Sequence, residues 1–225
     1  MKTSNYIIIA FFTFLFGGIF TLFLTAKIDP RGSQRRELQT IEKPLDSFSV
    51  IVAQPGSNIR LVTGTAPQIS IEYQKGDTCT LPAFNVQNDT LFVGENPKKN
   101  KYWATRVSCI QINSIVGKEN SEIVLEHVQS DTLLVKLNKG NFRYYSGNNK
   151  PSNSLRLIAD HSYIQLRDAS INNLNLQLKH TEMDAWNNNI KNLSGKLTEK
   201  SDLSLNQIRK ISLETDSTST YRLNK

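Results

Sequence analysis

Residues 155 to 223 repeat themselves. They read LRLIADHSYIQLRDASINN, LNLQLKHTEMDAWNNNIKN, LSGKLTEKSDLSLNQIRK and ISLETDSTSTYRL in succession. Leu155, Leu174, Leu193 and Ile211 lead the four units, at steps of 19, 19 and 18 residues. A second apolar column runs Ile164, Met183, Leu203, Tyr221, and a third runs Ile171, Ile190, Ile208. A shared period over three columns is the signature of a solenoid whose coils stack on one another. Within a unit the apolar residues alternate, as in Leu155, Leu157 and Ala159 or in Leu203 and Leu205. Period two is that of a strand. A unit of about 19 residues holding two or three short strands fits one turn of a parallel β-helix. Equivalent residues would then lie about 4.8 Å apart, in ladders. Asn172, Asn173 and Asn187 to Asn189 are the expected corners, because Asn tolerates tight and left-handed turns. An antiparallel sandwich with coincidental spacing is the competing architecture.

Residues 6–26, YIIIAFFTFLFGGIFTLFLTA, carry no charge. As a helix rising about 1.5 Å per residue they would cross a hydrocarbon core of about 30 Å. A cleaved signal peptide has a shorter apolar core and ends in a small-x-small site. Here Leu24 would stand at −3 if Ala26 were −1. The expectation is an uncleaved anchor over residues 1–27, a basic linker over 28–44 and a β-helix domain over 45–225. Orientation draws conflicting signals. Lys27, Arg31, Arg35 and Arg36 follow the apolar run, and the positive-inside rule would keep the body cytoplasmic. Long domains translocate largely regardless of charge, and the expected body is extracytoplasmic, in the periplasm or cell envelope. Cys79 and Cys109 leave the compartment open: they could pair in an oxidising one or stay thiols in a reducing one.

Net charge is +7. About +3 of it lies in the first forty residues, beside the apolar run, where it could meet anionic headgroups. The rest is spread thinly, so no nucleic-acid partner is expected. From Asp46 the alternation resumes: Phe48, Val50 and Val52; Ile59 and Leu61; Ile69, Ile71 and Tyr73; Phe84 and Val86; Leu91 and Val93, each bounded by turn residues. Residues 95–106, ENPKKNKYWATR, read as a loop, and 148–154, NNKPSNS, as an inserted corner.

The run LDSFSVIVAQPGSNIRLVTGTAPQISIEYQ, then FNVQNDTLFVGE, then Leu- or Ile-led repeats, resembles the bacterial putative auto-transporter adhesin, or head GIN domain, family. The resemblance covers about residues 45–225. It implies a parallel β-helix-like fold and export, and no catalytic residues. The Gly- and Ser-rich corners usual in that family are mostly Asn, Lys and Glu in this chain.

The chemistry-bearing residues form few constellations. His161, His180 and Glu199 are 19 apart and would stack. Imidazole and carboxylate suit zinc, but a ladder lacks tetrahedral geometry, so no metal site is expected. Asp160, Asp168, Glu182 and Asp184 could pair for glycoside hydrolysis, which needs carboxylates about 5–9 Å apart across a cleft. The sequence has no Ser-His-Asp elbow, CxxC pair, phosphate-cradling loop or HExxH, and no enzyme activity or cofactor is expected. Trp103, Tyr144, Tyr145, Tyr163 and Trp186 are the candidate ligand-stacking surface. The functional expectation is an all-β, membrane-anchored adhesion or ligand-binding module of a bacterial envelope, meeting an envelope glycan or a protein. A self-associating scaffold and a carbohydrate-active enzyme are the alternatives.

Overall fold

The computed structural model describes residues 3–28, 37–76, 78–97, 104–128, 130–147 and 151–224. The chain forms two compact units, residues 1–38 and 39–225. The first holds helix α1, Thr3–Ile28. Its described side chains, Tyr6 and those of residues 10–22, are all exposed. Among the described residues no helix is long and apolar enough to cross a membrane. The expected span over residues 6–26 therefore rests on sequence alone.

The second unit is all β. Its strands are β1 (Leu38–Pro44), β2 (Val50–Ala53), β3 (Asn58–Thr63), β4 (Gln68–Gln74), β5 (Phe84–Gln87), β6 (Thr90–Val93), β7 (Thr105–Cys109), β8 (Ser114–Gly117) and β9 (Glu122–Glu126). They continue with β10 (Thr132–Asn138), β11 (Asn141–Tyr145), β12 (Ser152–Asp160), β13 (Tyr163–Arg167) and β14 (Ser170–Lys179). The last are β15 (Glu182–Trp186), β16 (Asn189–Thr198), β17 (Asp202–Asn206), β18 (Ile208–Thr215) and β19 (Thr220–Asn224). They build two facing sheets. Sheet A runs β1-β4-β7-β3-β9-β11-β13-β15-β17-β19 and sheet B runs β18-β16-β14-β12-β10-β8-β2-β6-β5. From β8 onward each coil gives one strand to sheet B and the next to sheet A. Six coils follow one another in this way, joined by parallel pairs throughout.

All three sequence columns stack as read. Leu155 pairs with Leu174, Leu174 with Leu193, and Leu193 with Ile211. Ile164, Met183, Leu203 and Tyr221 are in register, as are Ile171, Ile190 and Ile208. Between the sheets Leu157, Leu176, Phe142, Ile164 and Met183 are fully enclosed. Ile211 departs from the expected dry ladder at 37% exposed, because no coil lies beyond β18 to cover it. Asn172 and Asn173 fall within β14 rather than at a corner. They form a two-residue step in the alternation that lets both Ile171 and Leu174 face inward.

Residues 38–109 do not add single coils in chain order, as a uniform solenoid would. The coil β2/β3 lies between β6/β7 on one side and β8/β9 on the other. Antiparallel strands stand near that end: β4 against β7, with β1 beyond β4 at the edge of sheet A, and β5 against β6 through a turn at Asn88 and Asp89, both at positive φ. In β2 the buried residues are Ile51 and Ala53, while Val50 and Val52 face outward. An unbroken apolar run such as VIVA does not declare its own register.

Each coil turns on a residue in the left-handed region. One corner carries Lys139, His161, His180 and Glu199, at φ of 54, 48, 46 and 53°. The other carries His127, Asp168, Asn187 and Gln207, at 52, 53, 51 and 50°. At the first corner the Lys139 N–H donates to the Asp160 carbonyl, His161 to Lys179, and His180 to Thr198, at 2.9, 3.0 and 3.3 Å. Just inside it runs a buried hydroxyl ladder. Gly140 N–H donates to Ser162 Oγ, Ser162 N–H to Thr181 Oγ1, Thr181 N–H to Ser201 Oγ and Ser201 N–H to Ser219 Oγ. Each of these hydroxyls takes the place of a hydrogen-bond partner that a buried corner would otherwise lack.

Cys109 is buried, with its thiol pushed up to about 11 by desolvation. Replacing Leu176 by Ala removes a fully enclosed leucine and is expected to destabilise the unit by about 2–5 kcal/mol in denaturant unfolding. Ile211→Ala, at the open end, is expected to cost about 1 kcal/mol or less; equal losses would contradict the stacking. Gly195 sits in β16 at φ +140°, where an added Cβ would lie 2.0 Å from the Leu176 carbonyl oxygen. Gly195→Ala should therefore lower stability by at least about 2 kcal/mol in the same assay, from backbone strain and displacement of β14.

Candidate ligand-binding surface

Alternation along sheet A decides which side chains face outward. In β15 Met183 and Ala185 point into the core, so Glu182, Asp184 and Trp186 point away from it. Register then aligns these with earlier coils. Tyr145 pairs with Arg167, and Arg167 with Trp186. The Arg167 guanidinium lies 5.7 Å from the Tyr145 ring centroid, within cation–π range. The Tyr145 hydroxyl donates to Gln165 Oε1 at 3.3 Å, which fixes the ring from its far end. Trp186, next along the ladder, is 58% exposed. One strip thus presents tyrosine, arginine and tryptophan, with the indole free to receive a partner.

Tyr163 stands beside the strip. Its hydroxyl donates to Asp184 Oδ2 at 3.1 Å. Partial burial, the Asp184 hydrogen bond and the charges of Asp184 and Glu182 raise its ionisation above the ordinary phenol value, against an opposing pull from Arg143. Further along sheet A the outer face opens into a hollow of about 390 Å³ lined by Asn58, Arg60, Glu72, Ala104, Arg106, Glu122, Val124 and Arg143. Arg143 pairs with Glu122 at 2.9 Å, and Arg60 with Glu126 at 3.6 Å. Arginine forks hold planar carboxylate and phosphate groups in two-point contact. The face therefore offers arginine-rich polar contacts at one place and aromatic stacking at another.

One of the expected stacking residues does not join this surface. Tyr144 is 3% exposed, in register with Leu125, Leu166 and the Ala185 column, and its hydroxyl meets Ser152 Oγ at 3.1 Å inside the core. This corrects its assignment: Phe142 is inward, so Tyr144, two residues on, is inward as well. Trp103 lies outside the described residues. The arginine hollow escaped the sequence reading, because Arg60 and Arg106 meet only through the out-of-order pairing of β3 with β7.

The four carboxylates considered for hydrolysis separate. Asp160 ends β12 at one corner, and Asp168 turns the opposite corner, where Asn187 Nδ2 donates to it at 2.6 Å. Glu182 and Asp184 share the outer face of sheet A, with Asp184 engaged by Tyr163. No two of them face each other across a cleft. His161 and His180 do stack, with ring centroids 4.2 Å apart.

The Tyr163 contact gives a pH test. Its neutral phenol is the form that donates to Asp184, so the contact is intact below the ordinary phenol value and is lost as pH rises through the raised one. Asp184→Asn should lower the phenolate titration that disappears in Tyr163→Phe, read by ultraviolet absorbance. An unmoved titration would show that Asp184 does not hold the hydroxyl.

No family model matches the chain, and no curated protein matches it. Solved structures do resemble it. A protein described as a "putative adhesin" from Bacteroides fragilis NCTC 9343 superposes with a TM-score of 0.64 at 17% identity, over 84% of this chain and 98% of the other. A second "putative adhesin", from Parabacteroides distasonis ATCC 8503, does so with a TM-score of 0.56 at 8% identity, over 84% and 94%. At such identities the likeness is one of fold: this chain shares the β-solenoid of these bacterial proteins along almost its whole second unit.

Proposed function

We propose that the chain is a non-catalytic binding module of a bacterial cell envelope, adhesive in kind, which uses the outer face of sheet A to hold an envelope glycan. The observation that carries this reading is the ladder Tyr145–Arg167–Trp186, which ends in a widely exposed indole on a rigid sheet. Aromatic rings on a fixed strand stack on flat apolar faces with little loss of side-chain freedom. The arginine-lined hollow beside Arg143 would receive the anionic substituents of such a polymer. Support also comes from the two solved structures of like fold, each described as a "putative adhesin", and from the resemblance to the putative auto-transporter adhesin, head GIN domain, family. The uncharged run of residues 6–26 supports a single-pass anchor, and the resemblance to an exported family supports an extracytoplasmic solenoid. The scattered carboxylates favour binding over hydrolysis.

A second reading, end-to-end association, draws on the open edge of β19, where Tyr221 is 45% and Leu223 53% exposed.

Retention of the full-length chain, in detergent, on immobilised envelope polysaccharides tests both readings. Wild type should be retained. Trp186→Ala and Arg167→Ala should each weaken retention about tenfold, the loss expected for a central aromatic or arginine contact of about 1.4 kcal/mol. No retention on any envelope polymer, or retention that ignores both changes, would overturn the glycan reading. Light scattering that grows with concentration would favour the scaffold, and a clean monomer would remove it.

A further inference from the structure

The corner between sheets B and A brings together a ligand set that the repeat alone does not announce. We propose that Asp160, His161 and His180 form a binding site for a transition-metal ion, with zinc the best fit, that clamps two successive coils, with Glu199 of the next coil beside it.

The geometry starts from the backbone. His161 and His180 occupy equivalent left-handed corner positions, at φ 48 and 46°. Lys139 and Glu199 adopt the same conformation, so the turn itself is generic; the imidazole pair belongs to two coils alone. The rings stack at 4.2 Å and 24°. His161 Nδ1 lies 2.8 Å from Asp160 Oδ1, and His180 Nδ1 lies 3.8 Å from the same oxygen. His180 Nδ1 is also 3.5 Å from Glu199 Oε2. A tetrahedral zinc site with bonds of about 2.1 Å holds its ligand atoms about 3.4 Å apart. The two separations from Asp160 straddle that value, and the ligand atoms of Asp160, His161 and His180 all fall within 4.8 Å of one another.

A second observation points to an ion. His180 Nδ1 is buried and has no hydrogen-bond partner, although it faces two carboxylates. A buried polar atom left in this way is costly. A cation held by Asp160 and His161 would accept its lone pair and remove that cost.

The surroundings are arranged as a metal site requires. Lys179 Nζ takes Glu199 Oε1 at 3.2 Å, which leaves Oε2 turned toward His180. The backbone is fixed on either side: the Lys139 N–H and Ser162 Oγ both donate to the Asp160 carbonyl, at 2.9 and 2.8 Å, and the His161 and His180 N–H groups are bonded to the next coil. Such support orients ligands before the ion arrives. Asp160 also borders a hollow of about 380 Å³ on the outer face of sheet B, which gives an entry path. Two imidazoles with one carboxylate suit zinc and its neighbours in the first transition row, and not calcium or magnesium, which take oxygen ligands. The nearby Glu199 carboxylate adds to the charge that balances a divalent ion. The sequence spacing of 19 found the two histidines and Glu199 but not Asp160, which reaches them from the residue before the corner.

The test uses the untagged full-length chain in detergent, stripped with chelator and titrated with zinc chloride by calorimetry. One ion per chain is expected. His180→Asn, which tolerates positive φ, and Asp160→Asn should each weaken binding at least about tenfold, while calcium chloride should give no saturable heat. Cobalt in place of zinc should give the intense visible bands of a tetrahedral centre. Should the histidine variant fail to fold, Asp160→Asn with an unaltered circular dichroism spectrum, together with the cobalt spectrum of the unmutated chain, decides the matter. Zinc binding no tighter than in Asp160→Asn, or a cobalt spectrum of the octahedral aquo type, would overturn the proposal.

Discussion

At each corner of the first edge a backbone N–H reaches the carbonyl that ends the strand one coil further on: Lys139 to Asp160, His161 to Lys179, His180 to Thr198. These bonds exist only because the donor residue turns left-handed. That conformation disfavours a residue with a β-carbon by roughly 1–2 kcal/mol. Among the described residues twelve non-glycine positions adopt it. The summed strain rivals the whole stability of an ordinary domain, so it persists only where neighbouring coils satisfy the turn. Eight of the twelve are Asn, Asp or His, the residues best suited to this region. Composition at the corners follows from this constraint, and the stacked core follows from the register the corners enforce.

The same constraint explains how the stack ends. At the Glu199 corner side chains of the last coil, β18/β19, accept from the backbone N–H groups. Asp216 Oδ2 accepts from the Glu199 N–H at 2.7 Å, Thr218 Oγ1 from Lys200 at 2.9 Å and Ser219 Oγ from Ser201 at 3.2 Å. Asp216 is held well below the usual carboxylate range, first by the Glu199 N–H and then by the hydroxyl and N–H donors of Ser219 and Thr218. The polar segment after Ile211 is thus a cap for the corner, while the strand edges of β18 and β19 stay open. Toward the opposite end the pairing turns antiparallel, at β4 and β5, and β1 forms the edge of sheet A.

Much of this was legible in the residues. Leu155, Leu174 and Leu193 announced their ladder because strict spacing and alternation agreed. The candidate surface was half legible: Tyr145, Tyr163 and Trp186 lie on the outer face, whereas Tyr144 is inward, as the step of two from Phe142 dictates. The rest needed coordinates for definite reasons. In the run VIVA every residue is apolar, so nothing in it distinguishes Ile51 and Ala53 from Val50 and Val52. Residues 38–109 hide their pairing because β2/β3 takes neighbours from later in the chain on both sides. Asp160 joins His161 and His180 through the shape of a corner, which spacing does not encode.

That interleaving sets the two ends of the solenoid apart under load. The C-terminal coil is an edge, so tension there would strip strands one at a time, each rupture freeing about one repeat. The coil β2/β3 has later-made strands hydrogen-bonded along both flanks, and tension from the amino-terminal side would have to shear it out from between them. Synthesis meets the same asymmetry in reverse: β2 and β3 gain both flanks only after β9 has formed, so the first-made coil is among the last to be completed.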